Sequence, residues 1–427
     1  MTKTVLGVLL GGALLLMAVP ALAQQAAPEA PSQSMFVRDR NISVSQRPRP
    51  GYDAVPIAMG GFTGLPKLDL GVESNDNVYA STINKQSDII FTADPEFDLA
   101  SRWSRNELQA YARSMTRQYD KYTAESTTDW QVGGAGRLDI GHGGLLAGAD
   151  TGEFTEPRFS PNAIFATAKP VRYGLTNAFL GATQELNRIR LTARYDYSDF
   201  DYHNGASPTG GFVLQDDRDH TLSTVTGKAE YAVSPATAVF IDASYDQHRY
   251  RLTPLSVAAN KNSQGSQVNI GANFDLTNVA RGEVEVGYLS QNFTAHVGTI
   301  SGLSAKGKVE WFPTQLTTIT LNGSRGLLDS AALGSPMYVA ESVGLQADHE
   351  LLRNFILTGR VGAEYDTYQG VDRKDRDTSG SITAKYLINR MVGVNLSYLY
   401  LNQDSSGTAK ASKYTVNRIT LSTTLQF

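Results

Sequence analysis

From Lys67 to Phe427 apolar residues recur at every second position, and that period constrains the fold more than any other feature. Ile189, Leu191, Ala193, Tyr195 and Tyr197 alternate with Arg190, Thr192, Arg194, Asp196 and Ser198. A helix of this sequence would carry charge on every side, whereas a strand sends successive side chains to opposite faces. Val268, Ile270, Ala272, Phe274 and Leu276 repeat the pattern against Gln267, Asn269, Gly271, Asn273 and Asp275. Phe355, Leu357, Gly359, Val361, Ala363 and Tyr365 do so again, with Ile356 as the exception. Eighteen such runs can be placed, the first opening at Lys67 and the last closing on Phe427.

The connections between the runs alternate in length. Trp103–Arg105, Gly141–Gly144, Ser234–Ala236 and Leu351–Asn354 are short, whereas His203–Arg218, Arg251–Gln264 and Gly326–Met337 are long. Outer-membrane barrels sort their connections in this way, with short periplasmic turns and longer outer loops. Aromatics on the apolar face also gather by height. Tyr231, Trp311, Phe355 and Phe427 fall near short-turn ends, and Tyr197, Tyr245, Tyr365, Tyr398 and Tyr400 toward the long loops. These are the two interfacial girdles of a membrane barrel. The expected fold is all-β, a transmembrane antiparallel barrel of about 18 strands in the bacterial outer membrane.

Composition is consistent with this and closes other routes. The 427 residues contain 38 Lys and Arg against 42 Asp and Glu, a formal charge of −4, and no Cys. There is no thiol nucleophile or disulfide framework, and no basic surplus for nucleic acid. Mean hydropathy of −0.26 looks soluble, but strands that are apolar on one face only would give the same value. At the N-terminus Lys3, the apolar run Val5–Val19, Pro20 and Ala21-Leu22-Ala23 read as a signal peptide over residues 1–23. Residues 24–66 then read as a flexible Pro-rich periplasmic segment, and 67–427 as the barrel. The segment is expected at the periplasmic mouth, with Arg47 and Arg49 reaching acidic lumen groups such as Glu283 and Glu285.

Motifs that carry chemistry are sparse. Walker A, G-x-S-x-G and EF-hand patterns are absent, and Val371–Asp377 in an expected outer loop has the wrong spacing for calcium. Of the six His, His220 and His248 should be neighbours on the lumen face, with Asp216, Asp217, Asp219 and Asp246 close by. That group suits an acid–His hydrolase site, a divalent-cation site or a solvated polar rim, and the rim is the expectation. No catalytic residue, metal or cofactor is assigned. The expected lumen lining includes Arg190, Arg194, Asp196, Asp242, Lys306, Lys308, Arg360 and Glu364, of both signs. An 18-strand barrel is wide enough for an aqueous channel. Pairing across strands to hold the wall is the plainer role for any single one of these residues. Ile419, Leu421, Thr423, Leu425 and Phe427 alternate to the very last residue, and Leu425 and Phe427 form an expected assembly signal.

Arg47-Pro48-Arg49-Pro50-Gly51-Tyr52-Asp53, Leu65-Pro66-Lys67-Leu68 and Asn75-Asp76-Asn77-Val78-Tyr79 resemble the "Putative beta-barrel porin 2" family. The resemblance implies an outer-membrane barrel of a kind often encoded near exopolysaccharide synthesis genes. It marks Arg47, Pro48, Arg49, Pro50, Tyr52, Asp53, Asp76 and Asn77 as motif residues. Expected partners are outer-membrane lipid and lipopolysaccharide, the assembly machinery, and a polysaccharide or periplasmic export components, but not nucleic acid. The functional expectation is a porin-like channel for polar solutes with a link to exopolysaccharide export. A plugged barrel serving as an adhesion or assembly scaffold, and a hydrolase using the rim histidines, are the alternatives.

Overall fold

The computed structural model describes residues 41–161, 167–251, 261–276, 279–294 and 298–427. The expected signal peptide 1–23 and the segment from Gln24 through position 40 lie outside the described residues. Antiparallel strands follow one another along the chain. They begin with β1 (Phe62–Asn75), β2 (Asp88–Ser101), β3 (Glu107–Tyr119), β4 (Thr127–Ile140), β5 (Gly143–Thr155) and β6 (Arg172–Leu186). Next come β7 (Ile189–Tyr202), β8 (His220–Ser234), β9 (Thr237–Tyr250), β10 (Ser263–Leu276), β11 (Ala280–Phe293) and β12 (Thr299–Thr314). The last are β13 (Thr317–Asp329), β14 (Met337–Leu352), β15 (Phe355–Tyr368), β16 (Lys374–Leu387), β17 (Val392–Ser406) and β18 (Tyr414–Gln426).

Each strand pairs with its neighbours in sequence, and β18 returns to β1 from Gln426↔Lys67 to Arg418↔Asn75. The 18-stranded sheet is therefore closed and leaves no row of unpaired backbone groups facing lipid. Side-chain alternation is kept throughout, so Leu191, Ile270, Leu345 and Val361 are exposed on the outer wall. Polar partners such as Arg190 and Asn269 turn inward and are buried. Tight turns Gly141-His142, Asn187-Arg188, Pro235-Ala236, Gln315-Leu316 and Arg353-Asn354 mark the periplasmic end. Asn187 adopts φ +54, the left-handed conformation that such a turn demands and that Asn tolerates.

Several strands run past their expected ends, as Thr317–Asp329 does into the expected Gly326–Met337 connection, and two of the differences have a clear physical reason. The first strand opens at Phe62 rather than Lys67, because Gly60-Gly61 makes a hairpin turn that pairs Ile57–Met59 with Phe62–Gly64. Residues 62–66 project beyond the seam with β18, so Pro66, which has no N–H, costs the barrel closure nothing. The expected outer loop around Val371–Asp377 is shorter, since Lys374–Asp377 already belong to β16. Strands run to 13–16 residues, longer than the roughly 9–11 that a tilted strand needs to cross a bilayer. Their outer ends stand in water, where an apolar alternation is not required.

Candidate functional site

The inward face defines the site, a polar lumen that chain segments narrow at both ends. At the periplasmic end Asn41–Tyr52 folds against the wall. Asn41 Nδ2 donates to Asp275 Oδ1 at 2.6 Å, and the Val44 amide donates to Thr318 Oγ1 at 3.0 Å. Val44 is buried beside Ile356 and Leu387, with Tyr52 packed on the same cluster. Arg47 Nη1 and Arg49 Nη2 converge on Glu350 Oε2 at 3.2 and 3.3 Å. The Pro50 carbonyl accepts from Arg390 Nη2 at 2.7 Å, and Asp53 accepts from the Arg49 amide. Burial pushes the Arg49 guanidinium below its ordinary value, with Glu350 and Asp53 acting in the opposite direction.

The cationic pair thus meets Glu350 rather than Glu283 and Glu285. Glu350 lies in the last turn-ward residues of β14, level with the docked segment, whereas Glu283 is taken by Lys228 Nζ at 3.3 Å. Nothing in local periodicity marks Glu350, apart from a carboxylate on the inward face at a short-turn end.

At the outer end the loop after β5 crosses the mouth toward β18, with β1 to β4 lying between the two strands on the wall. Its Arg158 Nη2 meets Glu125 Oε1 at 2.8 Å, and its Phe159 carbonyl accepts from the Tyr414 hydroxyl at 2.8 Å. Phe159 packs on Leu401, Tyr414 and Val416. The loop after β7 folds in as well. Arg218 grips Glu156 through both terminal nitrogens, at 2.7 and 3.1 Å, and lies 4.0 Å over the Tyr202 ring. Burial disfavours the Arg218 charge, but the Glu156 carboxylate beside it more than offsets this and raises the guanidinium above its ordinary value. Under these loops Val171, Tyr173, Leu175, Phe200 and Tyr202 form an apolar cluster inside the barrel.

The eight expected lining residues all face inward but are not gathered into one site. Arg190 Nε donates to Glu185 at 3.1 Å, and Arg194 Nε donates to Asp196 at 2.8 Å while lying over Phe179. Asp242 accepts from Asn269 at 3.1 Å, and Arg360 donates to Gln346 at 2.8 Å. Lys306 and Lys308 stand opposite Glu285 and Glu283 in the register. Glu364 differs. It pairs in register with Asp377, beside the Asp366–Asp375 pair, and among the described residues its buried carboxyl and that of Asp366 have no donor but each other.

The remaining motif residues serve the seam. Asp76 accepts from the Asn417 amide and side chain, both at 2.7 Å. Asn77 donates to the Ser81 and Thr415 carbonyls at 2.9 Å each, fastening the loop after β1 to β18. At the C-terminus Leu425 closes on Leu68 and Val392 in register, and Phe427 is exposed on the outer wall with its amide donating to the Pro66 carbonyl at 3.2 Å.

The expected rim histidines are brought together but are not solvated. His220 and His248 are buried beneath the inward-folded loops, their ring centroids 6.2 Å apart. Asp246 is beside His248 at 3.3 Å. Asp219 is drawn instead to the Tyr202 amide at 2.7 Å. The carboxylate between the two rings is Asp329, from the end of β13, which lies too far along the chain for strand-pairing arithmetic to find.

Among solved structures, the chain is similar to OccAB3 of Acinetobacter baumannii, with 12% identity over 86% of this chain and 100% of that one, at a TM-score of 0.47. The outer membrane protein OpdK of Pseudomonas aeruginosa shares 12% identity over 85% and 99%, at 0.43. A BenF-like porin from Pseudomonas fluorescens Pf-5 shares 11% over 85% and 99%, at 0.45. No curated protein matches. The family described as Putative beta-barrel porin 2 matches residues 49–427, a span that opens inside the docked Arg47–Asp53 motif and takes in every barrel strand, and the chain belongs to that family of outer-membrane β-barrels.

Proposed function

We propose that this porin-family channel passes small polar solutes, rich in hydroxyl groups or positively charged, through a lumen throttled at both mouths. The observation that carries this reading is the wall itself, apolar toward lipid and, between the two narrowed mouths, largely polar toward the lumen. Most wall charges are paired, so the lumen exerts little net field. The exception is the group of Glu364, Asp366 and Asp377 near the outer end, beside Asp375 with its Arg373 partner, where Glu364 and Asp366 have no donor but each other among the described residues. A passing cation or sugar hydroxyl supplies what those oxygens lack. Swelling of liposomes containing the purified chain tests this. Neutral sugars and small cations should enter faster than anions of equal size, and Glu364→Gln with Asp366→Asn should narrow the gap. Equal entry of anions, or no entry of the smallest sugar, contradicts it.

A polysaccharide leaving the cell is the finer solute we put forward, supported by the family resemblance. Its test is the loss of surface polysaccharide on deletion and its return with the intact chain. A second reading, a plugged barrel acting as a scaffold, is favoured by the docked Asn41–Tyr52 segment and predicts no conductance. The hydrolase reading has less support. Neither His220 nor His248 hydrogen-bonds a Ser or Thr hydroxyl among the described residues.

A further inference from the structure

We propose that His220, His248 and Asp329 form a binding site for a divalent transition-metal ion of the zinc type. His220 and His248 project into the lumen from the paired strands β8 and β9, and Asp329 reaches them from the end of β13. Asp329 Oδ2 lies 3.4 Å from His220 Nε2 and 3.4 Å from His248 Nδ1. The three donor atoms fall within 4.8 Å of one another. Both nitrogens are buried, on residues only 4% and 6% exposed, and face no partner but Asp329 among the described residues.

The far nitrogen of each ring is already engaged. His220 Nδ1 is 2.7 Å from the Arg218 carbonyl, which can only accept, so that nitrogen carries a proton and Nε2, beside Asp329, is the one left to bind an ion. His248 Nε2 faces Asp246 Oδ1 at 3.3 Å, so an ion at the centre would take the place of any proton that Nδ1 turns toward Asp329. Outer partners of this kind, a carbonyl and a carboxylate, fix the tautomer and orientation of metal-binding imidazoles. The His220 ring is also clamped between Phe200 at 4.5 Å and Tyr250 at 4.8 Å between centroids.

The two Asp329 separations fit an ion at the centre, and the two nitrogens, within 4.8 Å of each other, would close on it. Bonds of about 2.0–2.1 Å in a tetrahedral shell place neighbouring ligands roughly 3.3–3.4 Å apart. Two imidazoles and one carboxylate suit zinc and its neighbours, whereas calcium and magnesium take oxygen shells. Three protein ligands leave a fourth position for water. The ion would tie the tip of β13 to the β8–β9 wall across the outer mouth.

The test uses the full chain, purified in detergent and stripped with a chelator, with Zn2+ as the probe in equilibrium dialysis. A single tight Zn2+ per chain is expected, weakened at least about tenfold by His248→Gln or Asp329→Asn, and roughly 10–100-fold by Asp246→Asn. His142→Gln, remote in a periplasmic turn, should leave binding unchanged. Co2+ added to the unaltered chain should give the visible absorption bands of a four-coordinate site, a readout that needs no variant. The proposal is overturned if Co2+ gives no such bands. It is equally overturned if the wild type binds no more Zn2+ than a folded His220→Gln/His248→Gln chain, folding being judged by heat-modifiable migration.

Discussion

Ile270 and Asn269 are adjacent in the chain and live in different solvents. Ile270 is 61% exposed on the lipid wall near the middle of β10, while Asn269 is 4% exposed and bonded to Asp242 and Ser304. Ile270→Arg places a charge near the bilayer midplane and should cost about 2–4 kcal/mol. Asn269 is a poor control for lumen tolerance, because an Arg there would break two buried hydrogen bonds. Thr226, half-buried on the inward face of β8, is the better one, and Thr226→Arg should stay within about 0.5 kcal/mol. Reversible unfolding in lipid vesicles measures both, and equal losses would contradict the assigned facing. Asn77 gives a second residue-scale expectation. Its buried side chain bridges the loop after β1 to β18, so Asn77→Ala should lose about 1–3 kcal/mol through unpaired carbonyls, seen as a lower temperature for loss of heat-modifiable migration.

Among the elements, β18 bears the heaviest topological duty, since its pairing with β1 closes the wall. Phe427 ends that strand on the lipid face, where an aromatic anchors the periplasmic interface. Deleting Phe427 should lower the yield of folded barrel in outer membranes, and an unchanged yield would show that the terminal ring plays no part in assembly. Strands of this kind were legible in the sequence because their signal is local. Alternation assigns the face and short turns assign the end, both read within a dozen residues. The outer part of β16 was not legible. Asp375 and Asp377 alternate with Arg376 and Thr378, polar on both faces, because that stretch stands above the hydrocarbon and has no apolar face to display. The Gly60-Gly61 hairpin escaped for a related reason, since a Gly pair signals a turn without saying what it joins.

For the whole molecule, everything that shapes the pore depends on contacts between distant parts of the chain. Arg47 and Arg49 find Glu350, Phe159 finds Tyr414, and Asp329 finds His220 and His248. No periodicity encodes such meetings, so the wall could be read from the sequence and its fittings could not. The family motif is informative here after the fact. Its first two blocks sit at the periplasmic end and its last at the outer seam, so the motif residues mark the two ends of the barrel rather than one site. The first block narrows the channel that the wall creates. Single-channel conductance in planar bilayers, comparing the full chain with one lacking Asn41–Ala54, tests this most directly. The full chain should conduct, and the shortened chain should conduct severalfold more. Two closed barrels of equal conductance, or a silent pair with normal heat-modifiable migration, would contradict it.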